Sequence, residues 1–290
     1  MYLQAMAEML RRSAEEAFAV ELPEEDELGF GMAPLDAKEQ SYGARRLLDA
    51  SRSAKGEFLR QYGLDYGIRV RWYVEGETEL GALESFLGRS AGIELVNLRG
   101  QVMAARGKGV GFRDNLESDL RSHIFSFVSL DSDQEDYCRT VLKAAADDVI
   151  CGMIFIGDRD FEFANFTRDE LTRIAWNLAL QNGACSEDQS TLADAVAEAS
   201  SGKEFLAAAK RAVPALQQVT KGVCWGKALM AYALDSPTME APDGTIKLRP
   251  IIEAVTSALR ALQVDYYLSR KECKTDPVTG QMVKRDAPLV

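Results

Sequence analysis

Two acidic clusters follow directly on two apolar runs that read as strands. Arg69-Val-Arg-Trp-Tyr-Val74 leads into Glu75-Gly-Glu-Thr-Glu79, and Ile124-Phe-Ser-Phe-Val-Ser-Leu130 leads into Asp131-Ser-Asp133. A third cluster, Asp158, Asp160 and Glu162, follows Cys151-Gly-Met-Ile-Phe-Ile-Gly157. Carboxylates at the C-terminal ends of strands in an α/β sheet face the crevice where ligands bind. Carboxylate oxygens are also the ligands that Mg²⁺ and Mn²⁺ take. Glu75 and Glu79 span a strand-to-helix turn, where Gly76 is expected to let the backbone turn sharply. Asp131 and Asp133 lie two apart, so in extended chain they point to one side and can grip one ion. Three clusters would supply oxygens for two ions. Two ions about 3.5–4 Å apart activate a water and stabilise the leaving oxygen of a phosphodiester. The chain therefore reads as a metal-dependent enzyme acting on phosphate esters. Any one cluster alone would also pass for a solvated turn; the order of all three, each behind an apolar strand, carries the reading.

The elements that must position these residues alternate. Strands are predicted at 68–74, 94–98, 124–130 and 150–156, each a short apolar run with β-branched or aromatic residues. Helices are predicted at 78–88, 114–122, 134–146 and 167–182. Such alternation implies an α/β fold, a mostly parallel sheet with helices on both faces. Residues 1–67 read as a helical N-terminal extension. It has one helix over 2–20 (Leu3, Met6, Met9, Leu10 and Phe18 on one side), an acidic linker over 21–36 and a second helix over 37–62. Residues 68–186 form the predicted catalytic core. Residues 187–290 read as a helical C-terminal part without clear strands. Its predicted helices are 188–200, 203–213, 224–234 and 249–268, with a loose tail over 271–290.

Composition removes several chemistries. The single histidine, His123, makes Ser-His-Asp, Cys-His and three-histidine zinc sites improbable, and it is expected to pack at a strand start. The five cysteines form no CxxC pair, which argues against a zinc site or disulfide framework and fits a reducing cytoplasm. No run of 18 apolar residues is present to span a membrane. No GxxxxGK[ST] loop encodes a P-loop ATPase. The net charge of −11 argues against a protein that coats nucleic acid non-specifically, but not against a nuclease whose carboxylates are neutralised by cations. One local basic patch exists: Arg99, Arg106, Lys108 and Arg113 surround Gly100, Gly107, Gly109 and Gly111. A glycine-rich basic loop after a strand can approach a phosphate backbone closely, or can be an ordinary solvated loop.

The glutamate turn, the later DxD and the βα unit between them resemble the TOPRIM domain of primases, topoisomerases and certain nucleases. Four segments bring the resemblance closest to the nuclease region of OLD-family (overcoming lysogenisation defect) endonucleases. They are Tyr73-Val-Glu-Gly-Glu-Thr-Glu79, Ser129-Leu-Asp-Ser-Asp-Gln-Glu-Asp136, Asp158-Arg-Asp-Phe-Glu-Phe-Ala-Asn-Phe166 and Trp225-Gly-Lys-Ala-Leu-Met-Ala-Tyr-Ala-Leu234. The resemblance covers about 68–268 and implies a TOPRIM-like fold. It implies metal roles for Glu75, Glu79, Asp131, Asp133, Asp160 and Glu162, acid-base work by Glu75 and a catalytic role for Lys227. Lys203 and Lys221 are close enough in sequence to compete with Lys227.

The function expected from this is endonuclease cleavage of DNA with two Mg²⁺ or Mn²⁺ ions, in phage defence or DNA repair. Two alternatives stay open: an RNA-cleaving enzyme of the same fold, and a weakly active module that chiefly binds a partner ATPase. Pairing with a second copy is left open too. Topoisomerase and primase activities are disfavoured, because no nucleophilic-tyrosine domain and no zinc-binding or priming region can be placed.

Overall fold

A strand covered on both faces needs apolar residues at every position, not at alternate ones. Val70–Val74 (β1) meets that demand at every position but Arg71: Val70, Trp72, Tyr73 and Val74 are all buried. In the computed structural model, which describes residues 67–87, 92–98, 110–132, 134–157, 159–240, 244–287 and 289, this strand lies inside a four-stranded sheet. The others are β2 (Ile93–Asn97), β3 (Phe125–Asp131) and β4 (Gly152–Gly157), in the order β2-β1-β3-β4. All three pairings are parallel. Helices α1 (Glu77–Leu87), α2 (Val110–Arg121) and α3 (Glu135–Ala146) connect the strands. The expected α/β class, a parallel sheet flanked by helices, is the one the chain forms.

The pleat divides the strand residues between two cores. Val70, Trp72, Val74, Phe125 and Phe127 face a large cluster that takes in α1 and the later helices as far as Tyr266. Tyr73, Val128 and Leu130 face a smaller one built with Phe112 and Leu116 of α2 and Val141 of α3. The smaller face carries a buried polar network. Asp119 of α2, with 0% exposure, accepts hydrogen bonds from the Tyr73 hydroxyl (2.6 Å), the Ser126 hydroxyl (3.0 Å) and the Arg71 guanidinium.

After β4 come α4 (Phe161–Asn165), α5 (Arg168–Gln181), α6 (Asp188–Val196) and α7 (Gly202–Ala212). A π-helix at Lys221–Gly226 then runs straight into α8 (Lys227–Asp235). The hairpin β5 (Thr238–Glu240) and β6 (Ile246–Leu248) leads to α9 (Pro250–Ala261) and α10 (Tyr266–Glu272). A second hairpin, β7 (Cys273–Thr275) and β8 (Met282–Lys284), follows.

Several expectations are corrected. The helix expected over 249–268 is two helices. Asp265 caps the second by accepting from the Leu268 amide, and the Arg69 guanidinium takes the carbonyls of Leu262 and Val264 in the break. The helix expected to begin at 114 begins at Val110. The C-terminal part does contain strands, and its tail is an ordered hairpin. The Thr275 hydroxyl donates to the Gly152 carbonyl at 2.7 Å, and the Ile154 amide donates to the Gly280 carbonyl at 2.9 Å. Asp148 bonds both Arg270 and Arg285, which fastens the same hairpin. Gly76 is not among the glycines with positive φ, so the turn there needs no left-handed backbone. His123 has φ 58, is exposed, and lies against the Tyr267 ring at 4.5 Å. The helices expected over 2–20 and 37–62 lie outside the described residues.

Candidate active site

The strands β1 and β3 are neighbours, with Val74 opposite Ser129, so their C-terminal ends open side by side. Glu75 leaves β1 and turns its carboxylate toward β3, where Oε2 accepts a hydrogen bond from the Asp131 amide at 2.9 Å. Glu79, in the first turn of α1, folds back so that its Oε2 accepts from the amides of Glu75 (2.9 Å) and Gly76 (3.1 Å). The second of these bonds is the reciprocal half of a capping box, which satisfies an amide that the helix start leaves open. Both glutamates are buried, and Asp131 is partly buried. Three of the expected acidic residues are therefore brought together at adjacent strand ends. Asp133 and Asp158 lie outside the described residues.

Burial among like charges shows in the acidity of Glu79. Its carboxyl is pushed up to about 8, first by burial and then by the charges of Asp131 and Glu75, against the two amide hydrogen bonds. A divalent cation is the species that such a group of hard oxygens suits, since it would replace the proton and cancel the repulsion. A further polar atom lies under the same charge. The buried Tyr137 hydroxyl finds no hydrogen-bond partner among the described residues, and its acidity is weakened by burial and then by Glu75. The donor chemistry fits Mg²⁺ or Mn²⁺. A complete ligand set is not preassembled: among the described residues no group of three His, Cys, Asp or Glu side chains is arranged to hold a metal ion.

Asp160 and Glu162 form a separate group. Asp160 caps α4 by accepting from the Phe163 amide at 3.1 Å, and its other oxygen accepts from the Gly202 amide at the start of α7. Glu162 is 5% exposed and accepts from the Trp225 indole N–H at 3.1 Å. Burial, then the neighbouring Asp160 charge, raises its carboxyl above the usual range; the indole hydrogen bond and the charge of Lys221 act against this. Both oxygens of Asp160 are thus engaged by backbone amides.

The basic residues divide as well. Lys227 is exposed at the first position of α8, whereas Lys221 is partly buried in the π-helix. Arg113 pairs with Glu117 (2.9 Å) and Asp147 (2.8 Å). Arg99, Arg106 and Lys108 lie outside the described residues. Arg159 lines a cleft together with Glu79, Asp131, Ser129, Phe155 and Ile251, so a cation the motif reading left unassigned opens on the same cleft as these carboxylates. Its place inside Asp158-Arg-Asp160 was the available signal.

The site residues are thus an acidic group at two parallel strand ends, covered by helices that later parts of the chain supply. Among solved structures, the chain is similar to the C-terminal region of the OLD protein from Xanthomonas campestris pv. campestris. The form phased with iodine aligns at 15% identity and a TM-score of 0.39, covering 67% of this chain and 95% of that one. The form phased with platinum aligns at 15% identity and a TM-score of 0.38, covering 67% and 93%. No protein-family model and no curated protein matches the sequence. At this distance the functional reading rests on the site's own geometry. Among the described residues no helix is long and apolar enough to cross a membrane.

Proposed function

We propose that this chain is a nuclease of the kind its motifs resemble, hydrolysing DNA phosphodiester bonds with Mg²⁺ or Mn²⁺. The observation that carries the reading is the meeting of Glu75, Glu79 and Asp131 at the ends of β1 and β3, where burial first and the like-charged neighbours second push the Glu79 carboxyl up to about 8. In this reading Glu75, Glu79 and Asp131 hold the ion, and Asp133, two residues on, supplies a further carboxylate. An ion of this class, when bound there, would polarise a phosphoryl oxygen and lower the pKa of a bound water.

The protein's own residues do the rest. The Asp131 amide fixes the orientation of Glu75. Arg159, at the cleft beside Glu79 and Asp131, draws the anionic backbone toward the carboxylates. A lysine from the π-helix or from α8, Lys221 or Lys227, contacts the phosphate as charge builds on it.

In this reading one ion sits at the ends of β1 and β3, while Asp160 serves the α4 cap and the Gly202 amide and Glu162 serves the Trp225 indole.

Incubation of the purified protein with supercoiled plasmid, linear DNA and RNA, in Mg²⁺, Mn²⁺ or EDTA, tests the reading. The expected result is DNA cleavage with either ion and none in EDTA. Cleavage of RNA alone reassigns the substrate. Cleavage that persists in EDTA, or no cleavage with either ion, overturns the proposal.

A further inference from the structure

The π-helix Lys221–Gly226 runs along α1 at backbone distance. A Cβ on Gly226 would collide with the Thr78 carbonyl, and one on Gly81 would collide with the Gly222 backbone. Only hydrogen on both sides permits the approach. The contact covers the turn of α1 that bears Glu79. π-Turns within helices are frequent at functional sites. Trp225 belongs to this turn. Its ring is fully buried and stacks on Phe205, with centroids 6.0 Å apart and planes at 19°. Its N–H ends on Glu162 Oε1 at 3.1 Å. Glu162 is in turn walled in by Gly202 at the start of α7, where a Cβ would overlap its carboxyl group.

One continuous path therefore runs from Glu162, through the Trp225 indole and the glycine contact, to the helix turn that holds Glu79. We propose that Trp225 is a positioning residue: its hydrogen bond to Glu162 seats the π-helix on α1 and so fixes Glu79 at the strand ends. Glu162 then acts as the acceptor that anchors the indole, and not as a metal ligand. The inference rests on the reading of Glu75, Glu79 and Asp131 as the ion site only in its second readout.

Three variants separate the roles. Trp225→Phe keeps an aromatic ring against Phe205 and removes the N–H. Glu162→Met keeps the side-chain length and removes the acceptor, and it serves should Trp225→Phe fail to fold. Glu162→Gln retains an oxygen that can accept from the indole. The first readout is amide hydrogen exchange in EDTA, followed over 77–82 and 221–226. Trp225→Phe and Glu162→Met are expected to accelerate exchange in both segments, and Glu162→Gln to restore the wild-type pattern.

The second readout is Mn²⁺ affinity by calorimetry. Loss of an outer hydrogen bond at a metal site costs on the order of tenfold in affinity. That loss is expected for Trp225→Phe and Glu162→Met, while Glu162→Gln stays within about twofold of wild type on the same principle. Unchanged exchange over 77–82 in the folded variants overturns the inference. So does a Glu162→Gln protein that loses Mn²⁺ as completely as Glu162→Met, which would make the carboxylate a ligand. Absence of Mn²⁺ binding in the wild-type protein overturns the ion-site reading instead, and the exchange data still decide the role of Trp225.

Discussion

Glu75 and Asp131 are joined by a hydrogen bond of 2.9 Å from the backbone amide of one to the carboxylate of the other, across the two central strands. The bond aims the Glu75 carboxylate at the neighbouring strand end, although the electrostatics of three clustered acids favour its departure. A site that holds like charges together in this way gives up stability in the absence of a counter-ion.

Asp131→Ala tests that balance. The variant is expected to melt at a temperature equal to or above that of the wild type in EDTA, because one repelling charge is gone while the backbone amide that holds Glu75 remains. In Mn²⁺ the order should reverse. A ligand at a hundred times its Kd stabilises by about 2.7 kcal/mol, which for a chain of this size is a rise in Tm of roughly 5–10 °C. The wild type should show that rise and Asp131→Ala should lose most of it, together with cleavage. Equal Mn²⁺ shifts in the two proteins would remove Asp131 from the site.

Glu79 gives a pH dependence with a definite sign. Its folded-state value, about 8, lies above its ordinary value of 4.5. The folded protein therefore holds this proton more tightly than the unfolded chain does. The stability it contributes is fully present below pH 4.5 and is lost progressively as pH rises toward 8. Glu79→Gln keeps an acceptor for the two amides and cannot ionise. In EDTA, its melting temperature relative to wild type should climb between pH 5 and pH 8. A difference that stays flat, or that falls, contradicts the acidity assigned to Glu79.

Lys221 and Lys227 can be ranked by rate. Lys221 is partly buried in the π-helix that packs on the first turn of α1, whereas Lys227 is exposed. Lys221→Ala is expected to lower kcat more than Lys227→Ala, with about a tenfold gap, the size that one lost electrostatic donor at a transition state commonly produces or exceeds. Mn²⁺ affinity should change little in either variant. The reverse ranking would return the role to Lys227, the position that the sequence motifs favour.

Asp148 makes a separate, local prediction. Burial would raise its carboxyl, but hydrogen bonds from Arg285 and Arg270 outweigh burial and hold it below the ordinary value of 3.8. Stability from this group is thus present above pH 3.8 and is lost as pH falls through the lowered folded value. Its φ is 58, a conformation asparagine accepts readily, so Asp148→Asn removes the charge with little backbone cost. The three groups are partly exposed, and the expected loss at neutral pH is accordingly about 1 kcal/mol. Hydrogen exchange should rise over residues 273–284 in the variant, and its acid-side loss of stability should be shallower than wild type. Equal exchange in both proteins would show that Thr275 and Gly280 hold the hairpin without help.

The central sheet was legible because each strand is a dense apolar run bounded by polar turns, as β1 shows with Val70 to Val74. The carboxylate group at its rim was legible for the same reason: once β1 and β3 are placed as neighbours, Glu75 and Asp131 must meet. What escaped depends on distant partners. Asp119 reads as an ordinary polar helix residue until Arg71, Tyr73 and Ser126 converge on it, and an arginine inside a central strand was the one hint. The break after Ala261 needs Arg69, nearly two hundred residues earlier, to bind the carbonyls it leaves. A π-helix has no signature in composition; Gly222 and Gly226 in Lys221-Gly-Val-Cys-Trp-Gly226 reveal it only once α1 lies against them. The tail read as loose because its strands are three residues each and their support comes from β4.

The same hairpin has a consequence for how molecules of this protein meet one another. β4 is the last strand of its sheet, and an unguarded edge offers a row of amides and carbonyls on which another chain can align. The Gly280 carbonyl occupies the Ile154 amide, and the Thr275 hydroxyl bonds at Gly152, so the edge is stopped at two points along its six residues. Residues 273–284 thereby act as a guard against self-templating. Deleting them is expected to expose the β4 edge and promote self-association, which light scattering on warming would register.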